Sequence, residues 1–418
     1  MYTKPNMKKW IKIWTLFPVF ALLLMSMAPP AVPYTILDLF AGISNIIVFP
    51  VSSTIWGAGY NHFGQLGQGD AEEPNPHTVW EMSHLTIPDN DFPGPINGAA
   101  GESHTVILLR DGTLWGAGES FYGELGQGKG SPLRYPVLTQ LKNENGSDFS
   151  DVLALAAGCN NTFLLKKDNS LWASGHNYYG ELGLGDRENR HVFTRVSGAG
   201  DDVMDVAAGS RHTVILKNDG SVWAAGYNFN GQLGLGDEED FSVFTKVTDI
   251  GNDAVAIAAG NYHTVVLKKD GSVWVTGENY YNQLGNNGDG RRNFVRLKDS
   301  DGSYIEAVAV AARGDMTIIQ KRDGKLMMAG SYSEPEYDID SGLRPPLRGE
   351  PEPAITEIKP SGDYRFGAIK KIVLGSRSIY VLTADGFVWA AGSNQYGQLI
   401  MNRDVKESAV LRRVYPRS

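Results

Sequence analysis

Three histidines recur at one position of a repeated motif, and side chains of this type can act as acid–base groups or metal ligands. His104, His212 and His263 each stand three residues after a glycine, and tens of residues separate them. The corresponding position in the other copies holds Asn45, Asn161, Asp315 and Ser378. Because a catalytic or metal site needs side chains that converge on one point, the pattern favours histidines that hydrogen-bond a turn of their own repeat. We expect no catalytic residue, no metal and no cofactor.

The remaining reactive residues give the same indication. Cys159 is the single cysteine, which excludes an internal disulfide and a zinc site built from several thiolates. It stands at a turn position, which predicts an exposed thiol without a mechanistic role. The acidic segments 287–290 and 298–303 lack the ligand spacing of an EF-hand, and the chain has no phosphate loop or nucleophile elbow.

The elements that carry these residues occur seven times. A tryptophan on a strand-like segment marks six copies and Met327 marks the other: Trp56, Trp115, Trp172, Trp223, Trp274 and Trp389. The residue fourteen positions before each marker is a glycine, except that the sixth copy has Arg313. Since Gly42 precedes Trp56 by the same interval, the apolar stretch at 34–51 belongs to the first copy.

Each copy is predicted to form a four-stranded unit. In the fourth copy, His212–Lys217 and residues 222–225 are short runs of β-branched and aromatic residues around Asn218-Asp-Gly220, a strong hairpin signal. A repeat of about 50 residues with strand-like halves predicts a β-propeller. We therefore expect an all-β fold, a seven-bladed β-propeller of four-stranded antiparallel blades over residues 34–418. The sequence does not determine which strand closes the ring.

The sixth copy, about 303–360, has lost much of the motif. It carries an acidic, tyrosine-containing segment at 332–340 and a proline-rich segment at 345–353. Loops that depart from a repeat often acquire a specific partner, and decay of the copy is the alternative interpretation.

The repeat resembles that of the regulator of chromosome condensation family. The resemblance is carried by Gly-x-Asn-x-x-Gly-Gln-Leu-Gly-x-Gly-Asp, by Ala-Ala-Gly-x-x-His-Thr and by Asp-Gly-x-Val-Trp, over roughly residues 36–415. It implies a seven-bladed propeller. For the eukaryotic namesake it implies chromatin binding and nucleotide exchange on a small GTPase, whereas exported bacterial relatives include a β-lactamase inhibitory protein.

One face of the propeller is expected to be aromatic. Antiparallel pairing around Asp219-Gly220 places His212 opposite Tyr227, so the Gly-x-x-His and Gly-x-Asn loops emerge together. The candidate partner-binding residues on this face are Tyr60, His62, Phe63, Phe121, Tyr122, Tyr178, Tyr179, Tyr227, Phe229, Tyr280, Tyr281 and Tyr396. Four glutamates are expected to add negative charge there and to favour a cationic partner: Glu119, Glu124, Glu181 and Glu278. The recurring tryptophans and histidines are interpreted as structural, the tryptophans in the cores between blades.

The N-terminal thirty residues have the layout of a secretory signal. Four lysines within residues 4–12 precede an apolar run at 13–27 and small residues at 28–31. Pro29 disfavours cleavage after Ala28, so a cleaved signal peptide and an uncleaved signal anchor both remain. Either one predicts a protein that is secreted or held at the extracellular face of the cell envelope.

These features together predict an exported, non-enzymatic module that binds a protein partner, extracellular or at the cell surface, through its aromatic face. Inhibition of an enzyme is one form of that role. The net charge of −9 opposes nucleic-acid binding, a membrane is expected only through the N-terminal anchor, and a monomer is expected. The alternatives are a guanine-nucleotide exchange factor, by family analogy, and an extracellular lyase or hydrolase.

Overall fold

The protein folds as a seven-bladed β-propeller in which every blade is a four-stranded antiparallel sheet. The computed structural model describes residues 36–50, 54–69, 78–85, 93–286, 288–299, 301–331, 355–362, 366–401 and 403–415. Within these ranges the helical structure is one 3₁₀ turn, Ser197–Ala199. The predicted fold class is confirmed, and the strands arise where β-branched and aromatic residues recur.

The strands are numbered in chain order, four to a blade. Blades 1 and 2 are β1–β4 (Ile36–Ala41, Asn45–Pro50, Trp56–Tyr60, Thr78–His84) and β5–β8 (Pro95–Ala100, His104–Leu109, Leu114–Glu119, Arg134–Leu141). Blades 3 and 4 are β9–β12 (Val152–Ala157, Asn161–Lys166, Leu171–Gly175, Arg190–Arg195) and β13–β16 (Val203–Ala208, His212–Lys217, Val222–Gly226, Phe241–Lys246). Blades 5 and 6 are β17–β20 (Ala254–Ala259, His263–Lys268, Val273–Gly277, Arg291–Arg296) and β21–β24 (Ala307–Arg313, Met316–Lys321, Leu326–Gly330, Thr356–Ile358). Blade 7 is β25–β28 (Ile369–Leu374, Ser378–Thr383, Val388–Ser393, Glu407–Tyr415).

The first strand of each blade lies nearest the propeller axis. The first strands of neighbouring blades contact one another, and Leu155 N of β9 donates a hydrogen bond to Asn97 Oδ1 of β5 (3.1 Å). These strands are rich in alanine, for example Ala254–Ala259, because seven of them must approach closely around one axis.

The hairpin register differs by one residue from the sequence prediction. His212 pairs with Gly226 rather than with Tyr227. The physical reason is the turn: Gly220 N donates to Lys217 O and Lys217 N to Ser221 O, and Gly220 has φ +79°. A turn that ends in a left-handed glycine of this kind adds one unpaired residue to the loop.

Seven apolar cores fill the seven interfaces between neighbouring blades. Between blades 3 and 4, for example, the core contains Phe163, Leu182, Val203, Ile215 and Phe244. Equivalent clusters lie at the other six interfaces. The propeller is therefore held together by lateral packing of apolar sheet faces.

The ring closes without exchange of a strand. Blades 1 and 7 are each built from four consecutive strands, which answers the question left open by the sequence. Their interface contains an apolar core, an ion pair between Lys371 Nζ and Asp38 Oδ1 (2.7 Å) and a hydrogen bond from Ser376 N to Ile43 O (2.9 Å).

Three sequence predictions concern residues outside the described ranges. They are the N-terminal signal at 1–30 and the segments 332–340 and 345–353 of the sixth copy. Within the described ranges, the structure holds no helix of sufficient length and hydropathy to span a membrane.

Candidate partner-binding face

Two loops of each blade emerge together at one end of the propeller. In blade 4, Tyr227 N, just after the third strand, donates to Arg211 O in the loop between the first two strands (2.9 Å). Equivalent bonds join Glu119 N to Ser103 O and Glu278 N to Tyr262 O. We call this end the loop face. The sequence placed both loops there, although with the register displaced by one residue.

The loop after each third strand is held by its own polar side chains. Asn177 Oδ1 accepts a hydrogen bond from Leu182 N (2.9 Å), and Gln232 Oε1 accepts one from Asn230 N (3.1 Å). The equivalent asparagine and glutamine contacts recur in other blades. Because the motif's own residues fix the backbone, the variable aromatic side chains are left to project from it.

Four aromatic side chains protrude from the loop face at the same loop position of four consecutive blades. Phe121, Tyr178, Phe229 and Tyr280 are 52%, 64%, 65% and 68% exposed. The other eight predicted partner-binding residues are only partly exposed: Tyr60, His62, Phe63, Tyr122, Tyr179, Tyr227, Tyr281 and Tyr396. The predicted surface is thus a protruding row supported by a second row packed against the blades.

Ring contacts join these residues into a band that crosses blade boundaries. Tyr122 lies 4.8 Å from His176 and Tyr179 lies 4.9 Å from Tyr227, centroid to centroid, with rings edge to face. We call the following set the aromatic band: Phe121, Tyr122, His176, Tyr178, Tyr179, Tyr227, Phe229 and Tyr262. Edge-to-face contacts restrain the rings in place, so the band offers a surface that is already ordered.

Two other aromatic groups complete the loop face. Tyr280 and Tyr281 contact each other in blade 5 (4.9 Å). Tyr60 packs on Tyr396 across the interface of blades 1 and 7 (5.0 Å), and His62 and Phe63 pack beside it. All twelve predicted residues therefore lie on one face, in three groups.

The sequence analysis missed three members of this face: His176, Arg211 and Tyr262. Arg211 Nη1 donates to Tyr179 Oη (3.0 Å), and its guanidinium lies 5.0 Å from the Tyr179 ring and 6.0 Å from the Tyr227 ring. Arg211 and Tyr262 occupy the second variable position of the Gly-x-x-His loop. The variability of that loop was the signal that could have identified them.

The predicted acidic character of the face is wrong for two of its four glutamates. Glu124 and Glu181 are buried, and a side-chain oxygen of each accepts a hydrogen bond from its own loop, Tyr122 N to Glu124 and Tyr179 N to Glu181. Both glutamates stand where the other copies have a glutamine that bonds its own loop, which explains why their side chains point into the protein. Burial raises the pKa of Glu124 to about 8 and also raises the pKa of the partly buried Glu119 and Glu278.

The recurring histidines join blades, which corrects the prediction that each bonds its own turn. His104 Nε2 contacts Thr162 Oγ1 (2.9 Å), His212 Nε2 contacts Thr264 Oγ1 (3.0 Å) and His263 Nε2 contacts Thr317 Oγ1 (2.9 Å). Each threonine belongs to the next blade. Burial lowers the pKa to about 3 for His104 and His212 and about 4 for His263, so all three are neutral at pH 7.

The position equivalent to these histidines in blade 6 is Met316, and the assignment to Asp315 is wrong. Met316 pairs with Gly330 as His212 pairs with Gly226. In blades 1 and 3, Asn45 and Asn161 accept a hydrogen bond from the glycine N three residues earlier. A hydrogen bond to the turn of the same repeat, which was predicted for the histidines, is therefore made by these two asparagines.

The tryptophans pack at the interfaces between blades. Trp223 Nε1 donates to Ser221 Oγ (3.0 Å) and Lys217 Nζ lies 4.4 Å from the ring. All six contribute to an interblade cluster: Trp56, Trp115, Trp172, Trp223, Trp274 and Trp389. Among them Trp389 is fully buried.

Cys159 is partly buried, not exposed as predicted. Its Sγ donates to Ser210 Oγ of the next blade (3.1 Å), and burial raises the pKa of the thiol. Over the described part of the chain, no cluster of three or more His, Cys, Asp and Glu side chains is placed to hold a metal.

The family comparison agrees with the repeats. Sequence profiles described as "Regulator of chromosome condensation (RCC1) repeat" match residues 168–216 and 219–267, and also 96–124, 203–232, 254–283 and 369–398. The chain is 29% identical over 383 residues to the ultraviolet-B receptor UVR8 of Arabidopsis thaliana, covering 90% of this chain and 81% of UVR8. It is 27% identical over 282 residues to the human E3 ubiquitin-protein ligase HERC2, covering 66% of this chain but only 6% of HERC2.

The structure comparison shows the same fold. The structure of yeast RCC1 (Prp20) bound to Kap60 matches with a TM-score of 0.70 at 18% identity, covering 95% of this chain and 90% of the matched chain.

Proposed function

Because this chain belongs to the regulator of chromosome condensation (RCC1) repeat family, whose propellers fit an interaction or regulatory role, we propose that it is a non-enzymatic protein that binds a protein partner through the aromatic side chains of its loop face. The relatives support the general role, since one is named a receptor and another is bound to Kap60. The partner and its location are part of the proposal.

The observation that carries the proposal is the protruding row. Four large aromatic side chains, each more than half exposed, occupy one loop position in four consecutive blades. Exposed apolar patches on ordered surfaces mark interaction sites, and tyrosine and arginine dominate the energetics of protein interfaces. Arg211, stacked against Tyr179 and Tyr227, adds such a group to the middle of the row.

The proposal is tested by replacing the row. The variant with Phe121, Tyr178, Phe229 and Tyr280 all changed to alanine is compared with the wild type in affinity purification from the native culture, followed by mass spectrometry and titration of the recovered partner. Because aromatic hot spots cost about 2 kcal/mol each, we expect the quadruple variant to bind at least about 100-fold more weakly.

A matched control lies at the other end of the same four blades. Arg110, Lys167, Asn218 and Lys269 are exposed at the opposite hairpin turns, and their change to alanine should leave partner binding unaltered. Equal binding by the wild type and the aromatic variant would sink the proposal.

We further propose that the protein is exported and acts outside the cytosol as a monomer, with inhibition of an extracellular enzyme as one form of the interaction. The lysines and apolar run within residues 1–30 support export. Deletion of residues 1–30 should retain the protein in the cytosol, as measured by fractionation. Recovery of cytosolic GTPases alone would contradict this location.

A further inference from the structure

Three asparagines of the described residues are each followed by a glycine: Asn97, Asn145 and Asn230. A fourth such pair, at 287–288, begins outside the described ranges. Asparagine is a chemically labile residue, and a following glycine makes it more so, because glycine has no Cβ to shield its main-chain nitrogen. The three dipeptides are identical in sequence, but their surroundings in the propeller differ.

Two of the pairs are packed within the blades. Asn97 lies on β5, and its side-chain oxygen accepts a hydrogen bond from the next blade (3.1 Å). A Cβ on Gly98 would lie 2.2 Å from Phe40 Cε1. A Cβ on Gly231 would lie 2.5 Å from Arg292 Cα. Reaction at the nitrogen of either glycine therefore requires local opening of a blade.

Asn145 lies in an exposed loop between β8 and β9, at the end of the propeller opposite the loop face. Residues 144–148 are all exposed, and no described atom beyond the chain neighbours lies within 4 Å of a Cβ position on Gly146. Two main-chain hydrogen bonds close the turn, from Gly146 N to Asn143 O and from Asn143 N to Ser147 O (2.9 Å each). Because these bonds lie in an exposed loop, opening them costs little.

The side-chain amide of Asn145 is arranged for loss of its nitrogen. Its Oδ1 accepts hydrogen bonds from Ser147 N (3.0 Å) and from Ser147 Oγ (2.6 Å), and both draw electrons away from Cγ. Its Nδ2 donates to no group among the described residues. The amide therefore combines an activated carbon with a nitrogen that is free to leave into water.

We propose that Asn145 is a site of spontaneous deamidation through a cyclic imide. Hydroxide removes the proton from Gly146 N, and this nitrogen bonds to Asn145 Cγ. The bond from Cγ to Nδ2 breaks, and ammonia leaves with a proton taken from water. Water then adds to one imide carbonyl and breaks its bond to nitrogen: addition at Cγ gives aspartate, and addition at the main-chain carbon gives isoaspartate. No atom is oxidised or reduced, and water is the co-reactant.

The reaction changes the charge and the backbone of this loop. It replaces a neutral amide by a carboxylate three residues before Asp148, which forms an ion pair with Lys142. The isoaspartate product also lengthens the main chain of the turn by one carbon atom. The site goes beyond the proposed function, because it lies at the opposite end of the propeller from the exposed aromatic row.

The test compares the three asparagines within one protein. The full-length wild type is incubated in mildly alkaline buffer made with oxygen-18 water, and its peptides are quantified by mass spectrometry. Incorporated heavy oxygen distinguishes this reaction from deamidation during digestion. We expect Asn145 to react at least about 30-fold faster than Asn97 and Asn230, since these two react only after local opening. Chromatography should resolve the aspartate and isoaspartate products.

The control is the same chain unfolded in guanidinium chloride, where the three dipeptides lose their different surroundings and should react at similar rates. Asn145→Gln should remove the label from its peptide, which assigns the reaction to Asn145 rather than to Asn143. Equal rates in the folded protein, or label at Asn145 that appears only after unfolding, would overturn the proposal. The Phe121/Tyr178/Phe229/Tyr280 variant should deamidate at the wild-type rate, so the two proposals fail independently.

Discussion

At the scale of single residues, the buried titratable side chains of this protein serve the fold. The three histidines bridge neighbouring blades as neutral groups, and Glu124 replaces a glutamine that binds its own loop. Both kinds of residue have pKa values displaced by burial, a feature that also marks active sites. Here the partners are a threonine and a backbone amide, which favours a structural role.

The first prediction concerns His212. Its pKa is about 3 in the folded protein, against an ordinary value of 6.5 for a solvated histidine, so the unfolded chain alone takes up a proton as the pH falls below 6.5. The contribution of His212 to the free energy of unfolding is full above pH 6.5 and is lost as the pH falls toward 3. We expect His212→Asn to be about 1 kcal/mol less stable at pH 7.5 and to lose less stability between pH 6.5 and 4.5, as measured by urea unfolding. An identical pH slope in both proteins would contradict the assignment.

The second prediction concerns Glu124, for which the free energy of unfolding changes with pH in the opposite direction. Its pKa is about 8 in the folded protein, against an ordinary value of 4.5 for a solvated glutamate. Between these values only the unfolded chain ionises, so the free energy of unfolding falls as the pH rises from 4.5 to 8. Glu124→Gln removes this loss and retains an oxygen acceptor for Tyr122 N. We expect the variant to match the wild type at pH 4 and to exceed it at pH 8, as measured by urea unfolding. A difference that does not change with pH would refute the raised pKa.

At the scale of the elements, each blade depends on glycines where two loops approach. Gly226 ends β15 with φ +107°, and a Cβ there would lie 2.5 Å from Arg211 O. Gly112, in an exposed hairpin turn, has φ +89° and no atom within 4 Å of its Cβ position. The two residues share the left-handed backbone and differ in the space around them.

This pair gives the third prediction. Gly112→Ala carries only the backbone strain, about 1–2 kcal/mol. Gly226→Ala adds a clash with backbone atoms, which costs about 1–3 kcal/mol more. Thermal and urea unfolding of the two variants measure the difference directly. Equal destabilisation of the two variants would mean that the loop at Gly226 and the loop at Arg211 can move apart without cost.

The elements also show how far the sequence predicts the structure. The number of blades, their four strands and the common face of the loops follow from the repeat, because each copy contains its own hairpins. The register was displaced by one residue, because the left-handed Gly220 adds a residue to the turn. The burial of Glu124 and the roles of His176 and Arg211 were missed. They depend on contacts between side chains of the folded loops, which the sequence of a single repeat does not reveal.

At the scale of the whole molecule, one interface differs from the other six in its connectivity. Blades 1 and 7 adjoin through side-chain packing, the Lys371–Asp38 ion pair and a few hydrogen bonds. Every other pair of adjacent blades is also consecutive in the chain. We therefore expect the ring to open first at the interface of blades 1 and 7.

The fourth prediction tests this weakness. Leu39 is fully buried in the core between blades 1 and 7, and Ile257 occupies the equivalent strand position in the core between blades 4 and 5. Each change to alanine should cost about 2–5 kcal/mol. Hydrogen exchange should accelerate selectively in β1–β4 and β25–β28 for Leu39→Ala. Uniform acceleration in all blades would show that the ring opens as one unit.

The contact between the first and last blades also limits when the ring can close. Contacts between consecutive blades join residues about one repeat apart, so each blade can pack on its predecessor before the chain is complete. The contact of Lys371 with Asp38 spans 333 residues, so it forms only after the seventh blade has been synthesised. Until then the apolar side of blade 1, including Leu39 and Val48, faces water. A chain without its seventh blade therefore leaves this apolar surface uncovered, and such surfaces promote aggregation of incomplete chains.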